Sequence, residues 1–263
     1  MPALPPARVS LLTVSAIKGL GVVHPREIEL TPTGASGDRA FFLVDENDAL
    51  ISVTRTGAWL GLTAEYDRAA GRLTVGSPGG TLLSEEVKPS EPVLADFYGY
   101  RSASGRVVEG PWSDLFSTLA NRAVRLVLAD GENGGVDVRP ATLLGDESVA
   151  ELARRAGVDV DPRRFRMLIG FSGGAPHTED TWEGRSLGVG EALVRVEGPV
   201  KRCGTVTRNP SGGAADLRVL RLIKDYRGLG ESVFGRGVNF GVYADVIRPG
   251  RVRVGDELEL DAT

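Results

Sequence analysis

The only cysteine in this 263-residue chain, Cys203, is the residue whose type and setting most directly suggest chemistry. It follows the cationic pair Lys201-Arg202, and neighbouring cations favour the thiolate, the form of cysteine that attacks electrophiles and binds metals. Alternating residues over 193–197 predict a strand that ends at Gly198-Pro199, and Thr205-Val206-Thr207 begins another, with Cys203 on the loop between them. Cys203 is therefore a candidate nucleophile or metal ligand. The alternative is a small buried core residue.

A second set of residues consists of cations at the edges of apolar strand patterns. Its members are Lys18, Arg39, Arg166 and Arg202. The forked donors of arginine suit phosphate, and an anionic cofactor needs several cations. The alternative for each is a solvated charge at a strand end, because sequence spacing does not show whether the four converge.

Other kinds of site have less support in the sequence. His24 and His177 are far apart, and neither has a second histidine or cysteine at ligand spacing, which favours surface or hydrogen-bonded roles. The sequence contains no Gly-x-Ser-x-Gly elbow and no phosphate-binding P-loop. Its glycine-rich stretches predict turns, at 76–80, 131–135, 170–174 and 211–213.

Composition narrows the class of protein. Hydrophobic residues make up 41% and charged residues 25%, as in an ordinary globular protein, and a net charge of −4 gives no global basic field for nucleic acid. A single cysteine excludes an intramolecular disulfide framework and suggests a reducing compartment. The sequence shows neither a signal peptide nor a membrane-spanning run, so we expect a cytoplasmic protein without nucleic-acid or membrane partners.

The elements that must position these residues are mostly short strands. Strand patterns cover 8–17, 27–30, 39–44, 49–54, 62–67 and 71–75, and they recur from 164 onward. Helical spacing appears over 112–120, over 146–156, where Gly157 follows as a terminal glycine, and over 216–224 with Asp216 as its cap. A domain boundary is expected within 98–125.

Several motifs resemble the MOSC family, named after the C-terminal domain of molybdenum cofactor sulfurases. The segments 16–19, 30–34 and 37–39 resemble the N-terminal β-barrel domain that precedes many MOSC domains. Arg164-Phe165-Arg166, Glu179-Asp180-Thr181-Trp182, Gly198–Cys203 and Pro249–Asp256 resemble the MOSC domain itself, in the family's order. The resemblance implies a mainly β (α+β) fold, in which a MOSC-type β-barrel with peripheral helices (121–261) follows a smaller β-rich domain (8–120).

The resemblance also implies a cofactor. Molybdopterin-bound molybdenum would take Cys203 as a protein ligand, with Lys201-Arg202 keeping the thiol deprotonated. Lys18, Arg39 and Arg166 match positions that hold the pterin phosphate, and Arg139 could supply a further cation. A pyridoxal phosphate sulfurase domain is missing, so that cofactor would enter only through a separate protein. In amidoxime-reducing relatives, a redox partner protein supplies electrons and a small N-oxygenated substrate is reduced.

The chain departs from the reductase pattern near the expected cofactor. Gly19 replaces a serine, and Met167-Leu168 replaces Pro-Asn, which removes hydrogen-bonding groups. Two alternatives to the reductase therefore stay open. One is a sulfur carrier with a persulfide on Cys203, and the other is a non-catalytic module that binds pterin or a partner.

Overall fold

The computed structural model describes residues 6–261. Its strands are β1 Arg8–Leu12, β2 Glu27–Thr31, β3 Gly34–Ala35, β4 Phe41–Val44, β5 Thr63–Asp67, β6 Arg72–Ser77, β7 Gly80–Glu86, β8 Pro89–Phe97, β9 Arg101–Val108, β10 Arg125–Ala129, β11 Ala141–Gly145, β12 Ile169–Ser172, β13 Ser186–Val189, β14 Ala192–Lys201, β15 Asn239–Arg248, β16 Gly250–Arg253 and β17 Leu258–Leu260. The α-helices are α1 Trp112–Ala120, α2 Asp146–Ala156 and α3 Val219–Arg227, and 3₁₀ helices cover Pro162–Phe165, Thr178–Trp182 and Gly204–Thr207.

Seven strands form a nearly closed barrel in the order β1-β12-β11-β15-β14-β13-β17. The two ends of the sheet approach each other, because Arg8 bridges Glu257 and the Leu258 amide donates to the Ala7 carbonyl at 2.8 Å. Alternate residues of β14 face inward, among them the fully buried Val194 and Val196. The prediction of a mainly β fold with a barrel and peripheral helices is confirmed.

Three smaller sheets pack beside the barrel. They are the four-stranded β4-β10-β9-β8, the meander β5-β6-β7 and the three-stranded β16-β2-β3. A separate hydrophobic core lies under the first two, where Trp59 packs edge-on against Phe116 and Trp112 is fully buried. This second core explains why the sequence of the N-terminal half predicts a separate β-rich region.

Strand pairing crosses the predicted division between 8–120 and 121–261 in both directions. β1 pairs with β12 inside the barrel, and β10 pairs with β4 and β9 in the four-stranded sheet. A third sheet also crosses it, because β16 pairs with β2. The division stays a prediction.

Two of the three predicted helices are confirmed. In α2, Asp146 and Glu147 start the helix, two arginines end it, and Gly157 closes it at φ 67°. This matches the dipole and cap preferences of helices. The third helix begins at Val219 instead of Asp216, whose carboxylate is bound by Arg164 at 2.8 Å. None of the helices within residues 6–261 has the length and apolar character needed to cross a bilayer.

The strand predictions differ from the structure at four places. β1 ends at Leu12 instead of 17. The return arm predicted over 49–54 is shorter: Leu50 bridges Val44, and the Ile51 amide donates to the Leu43 carbonyl at 2.9 Å. β14 continues through Gly198-Pro199 to Lys201, because a register shift beside Gly198, at φ 115°, lets the strand bend without ending. Residues 204–207 form a 3₁₀ helix instead of a strand.

Candidate functional site

A cleft of about 180 Å³, partly open to solvent, lies between the barrel and the N-terminal sheets. The structure brings to its lining all six residues singled out in the sequence: Lys18, Arg39, Arg139, Arg166, Arg202 and Cys203. They arrive from segments up to 185 positions apart, the separation between Lys18 and Cys203. Sequence spacing could not show whether these side chains lie together, and the structure places them in one cleft.

Cys203 is exposed in this cleft, directly after β14 and at the start of the 3₁₀ helix Gly204–Thr207. Its sulfur lies 3.3 Å from the hydroxyl of Thr205 and 3.6 Å from that of Thr54, and the two hydroxyls are 3.3 Å apart. The buried-core alternative for Cys203 is wrong. The two threonines orient the thiol, and the sequence reasoning missed both.

The cations next to Cys203 in sequence are bound elsewhere. Arg202 donates to the carbonyls of Phe240 and Phe165 at 2.8 and 3.1 Å and to the sulfur of Met167 at 2.8 Å. Lys201 donates to the carbonyl of Phe234 at 2.8 Å. Burial lowers the pKa of Arg202 to about 10, and negative charge on Tyr243 and on the cysteine opposes that shift. Within the described residues, the Arg202 guanidinium therefore makes no hydrogen bond to the Cys203 sulfur.

A second group of cations lies at the end of the cleft formed by the N-terminal half. Lys18 is buried and pairs with Asp137 at 2.6 Å, and burial lowers its pKa while Asp137 opposes this. Arg39 pairs with the buried Asp38 and donates to the Arg166 carbonyl at 3.3 Å. The Arg166 guanidinium donates to the Leu20 carbonyl at 2.6 Å. Burial lowers the pKa of Arg166 to about 10, and repulsion from the Arg39 cation contributes to the same shift.

Arg39 and Arg166 both adopt left-handed backbone conformations, with φ of 48° and 54°. Such a conformation is uncommon for residues other than glycine and costs of order 1–3 kcal/mol where the surrounding structure holds it. Arg166 follows the 3₁₀ helix Pro162–Phe165, and Arg39 lies two residues before the buried strand β4. Two strained arginines facing one cleft are typical of a binding site.

The charges in the lining do not balance. The described lining holds seven cations and two carboxylates, namely Lys18, Arg39, Arg139, Arg164, Arg166, Lys201 and Arg202 against Asp38 and Asp137. Arg139 pairs with Asp245 at 2.7 Å and Arg164 with Asp216 at 2.8 Å, so their charges are compensated outside the lining. Within residues 6–261, Arg166, Lys201 and Arg202 have no carboxylate partner. The cleft is therefore electropositive in a chain of net charge −4 and suits an anion.

The residues that depart from the reductase pattern have local explanations. Gly19 has a φ of 100°, which favours glycine over serine. Met167 and Leu168 are buried and pack into two different cores, and the Leu168 amide donates to the Thr142 hydroxyl at 2.8 Å. The sulfur of Met167 also accepts from Arg202, so this position keeps a polar contact.

Both histidines lie outside the cleft lining and are hydrogen-bonded, as expected. Nδ1 of His24 is 3.1 Å from the Leu12 carbonyl, and Nε2 of His177 is 3.4 Å from the Tyr226 hydroxyl. Burial lowers the pKa of His177 to about 4, so this side chain is neutral at pH 7.

We expect Arg166→Met to weaken the binding of inorganic phosphate to the purified chain by about tenfold, because hydrogen bonds to charged groups contribute about 1.5–3 kcal/mol. Isothermal titration calorimetry at low ionic strength measures this change. Arg154→Met is the matched control, since Arg154 is an exposed arginine of α2 outside the cleft. Equal phosphate affinities of Arg166→Met and the unsubstituted chain would contradict an anion site at Arg166.

The chain is similar in sequence to several known proteins. The MOSC domain matches residues 130–259. A molybdenum cofactor sulfurase from Caenorhabditis briggsae is 26% identical over 227 residues, covering 83% of this chain and 31% of the relative. The human mitochondrial amidoxime-reducing component 1 is 30% identical over 128 residues, covering 47% of this chain and 37% of the relative. The chain thus aligns with about a third of the length of these curated relatives.

Solved structures show weaker likeness. The YuaD protein from Bacillus subtilis aligns over 99% of this chain and 98% of its own, with a TM-score of 0.48 and 16% identity. YiiM from Escherichia coli covers 51% of this chain and 59% of its own, with a TM-score of 0.35 and 22% identity.

Proposed function

Because residues 130–259 match the MOSC domain, we propose that the chain binds the molybdenum cofactor in the cleft and reduces small N-oxygenated compounds. The observation that carries the proposal is the presence, in one cleft, of an exposed cysteine and three cations that no carboxylate compensates within residues 6–261. A thiolate is a soft ligand of the kind that molybdenum–sulfur centres use, and uncompensated cations favour a phosphate. The residues present therefore fit the group.

Each residue of the cleft has a task under this proposal. Cys203 is the protein ligand to the metal, and the hydroxyls of Thr54 and Thr205 orient its sulfur. Arg166, together with Arg39 and Lys18, holds the phosphate of the pterin. When bound, the cofactor supplies a two-electron centre for removing oxygen from the substrate. A separate redox protein supplies the electrons.

Metal analysis of freshly purified protein tests the proposal. After expression in a host that makes the molybdenum cofactor, we expect about one molybdenum per chain by inductively coupled plasma mass spectrometry. Protein from a host deficient in cofactor synthesis is the control and should contain none. Absence of molybdenum from both preparations would contradict the proposal.

A second function, that of sulfur carrier, is favoured by a different observation. A relative that aligns with 83% of this chain is named a molybdenum cofactor sulfurase, and the exposed Cys203 could carry a persulfide for transfer to a metal–sulfur centre. Its signature is a mass increase of about 32 Da, one sulfur atom, on the Cys203 peptide under non-reducing conditions. The outer sulfur would arrive as sulfane sulfur from a donor persulfide, whose thiol is released when Cys203 takes the sulfur.

A further inference from the structure

Three of the five tyrosines in the chain lie at or beside the mouth of the cleft. Tyr98 and Tyr243 line it, and Tyr100 is close enough to Tyr243 to influence its pKa, which burial raises to about 12. Tyr98 is 54% exposed and Tyr100 is 48% exposed, so their rings present apolar surface to solvent. Exposed aromatic surface at the mouth of a concave site is typical of ligand binding.

The turn between β8 and β9 holds Tyr98 in a left-handed backbone conformation. Tyr98 and Gly99 have φ values of 62° and 71°, and the Tyr100 amide donates to the Phe97 carbonyl at 3.1 Å, as in a type I′ turn. Phe97 pairs with Arg101, so three residues connect the strands. Asparagine or glycine normally occupies the position of Tyr98, because a bulky side chain there is strained. Local turn preference does not explain this tyrosine.

Lys201 holds the loop whose Phe234 contacts Tyr100. Its ammonium group holds the Phe234 carbonyl at 2.8 Å, and the ring of Phe234 contacts Tyr100 edge-on with centroids 4.8 Å apart. We call Tyr98, Tyr100 and Phe234 the aromatic rim. The rim joins the β8–β9 turn to the loop before β15.

Building on the function proposed above, we infer that the aromatic rim binds a flat, uncharged aromatic ring of the substrate and so selects for aromatic compounds. Stacked or edge-on aromatic pairs gain free energy beyond that of area burial. A cationic ring is disfavoured, because Arg101 and Lys18 already lie 4.5 and 5.3 Å from the ring of Phe97, the residue before Tyr98. The rim is a specificity determinant, separate from the groups that hold metal and phosphate.

The test uses the purified full chain without added metal and two probes of equal polarity, benzamide and cyclohexanecarboxamide. Nuclear magnetic resonance titration should show benzamide binding about two- to tenfold more tightly, which corresponds to the gain of one aromatic pair. The variant Tyr98→Asn/Tyr100→Ser should abolish this preference, since asparagine accepts the positive φ of the turn. Tyr98→Phe/Tyr100→Phe keeps the rings and should retain it.

Leu94→Ala is the matched control, because Leu94 is 67% exposed on β8 and outside the cleft lining. Equal binding of the two probes by the unsubstituted chain overturns the inference, as does a preference that survives Tyr98→Asn/Tyr100→Ser or disappears in Leu94→Ala. Phe234→Ser is a second variant that alters the rim without touching the turn and should reduce the preference. Neither probe carries an N–O bond, so this outcome is independent of the molybdenum content that tests the proposed function.

Discussion

Cys203→Ser is expected to lower the molybdenum content of the purified protein at least tenfold. Removing even an outer-shell partner of a metal ligand typically costs 10–100-fold in affinity or activity, and a serine hydroxyl is a far poorer ligand for molybdenum than a thiolate. Metal analysis of the variant and the unsubstituted chain, expressed in parallel in a cofactor-competent host, measures the change.

The same substitution should leave the folded structure intact. Cys203 is exposed and its thiol contacts two hydroxyls, so its replacement by serine should change the free energy of unfolding by no more than about 0.5 kcal/mol. Urea unfolding of the metal-free proteins checks this. Full molybdenum content in a folded Cys203→Ser variant would show that Cys203 is not a ligand, and would favour the sulfur-carrier role for it.

Local signals predicted much of the site's chemistry but not its geometry. The type and neighbours of Cys203 were enough to select it. Its orientation depends on Thr54, which is 149 positions away and has no motif of its own. The cations Lys201 and Arg202 looked like partners of the thiol because they precede it. The structure directs their head groups to backbone carbonyls instead, since the strand continues through the bulge at Gly198.

The same distinction holds for the fold. Helix α2 could be predicted because its charges and terminal glycine all lie within twelve residues. Helix α3 starts three residues later than predicted because Asp216, a good local cap, is instead held by Arg164 from the segment before β12. The strained turn at Tyr98 was missed for a related reason: its sequence is unfavourable for the turn that it forms.

Gly213→Ala is expected to destabilise the fold by about 2–5 kcal/mol, the sum of overpacking and left-handed backbone strain. Gly213 has a φ of 74°, and a Cβ atom there would overlap the backbone of Gly57, including its carbonyl oxygen. Backbone atoms cannot yield as a flexible side chain can. The loops around Gly57 and Gly213 would therefore have to separate.

Gly212→Ala is the matched control on the neighbouring residue. Gly212 has no positive φ, and a Cβ atom there meets no described atom within 4 Å, so we expect a change of no more than about 0.5 kcal/mol. Urea unfolding of both variants separates the two cases. Equal stabilities would mean that the two loops can part without cost.

The loop contact at Gly213 also bears on the site. Arg208 donates to the Gly213 carbonyl at 2.8 Å and to the Thr54 carbonyl at 3.0 Å, so it ties this contact to the threonine beside Cys203. Separation of the loops in Gly213→Ala should therefore shift Thr54 and lower the molybdenum content of the protein that still folds. Gly212→Ala should keep the metal. Full metal content in folded Gly213→Ala would show that Thr54 does not depend on this contact for its position.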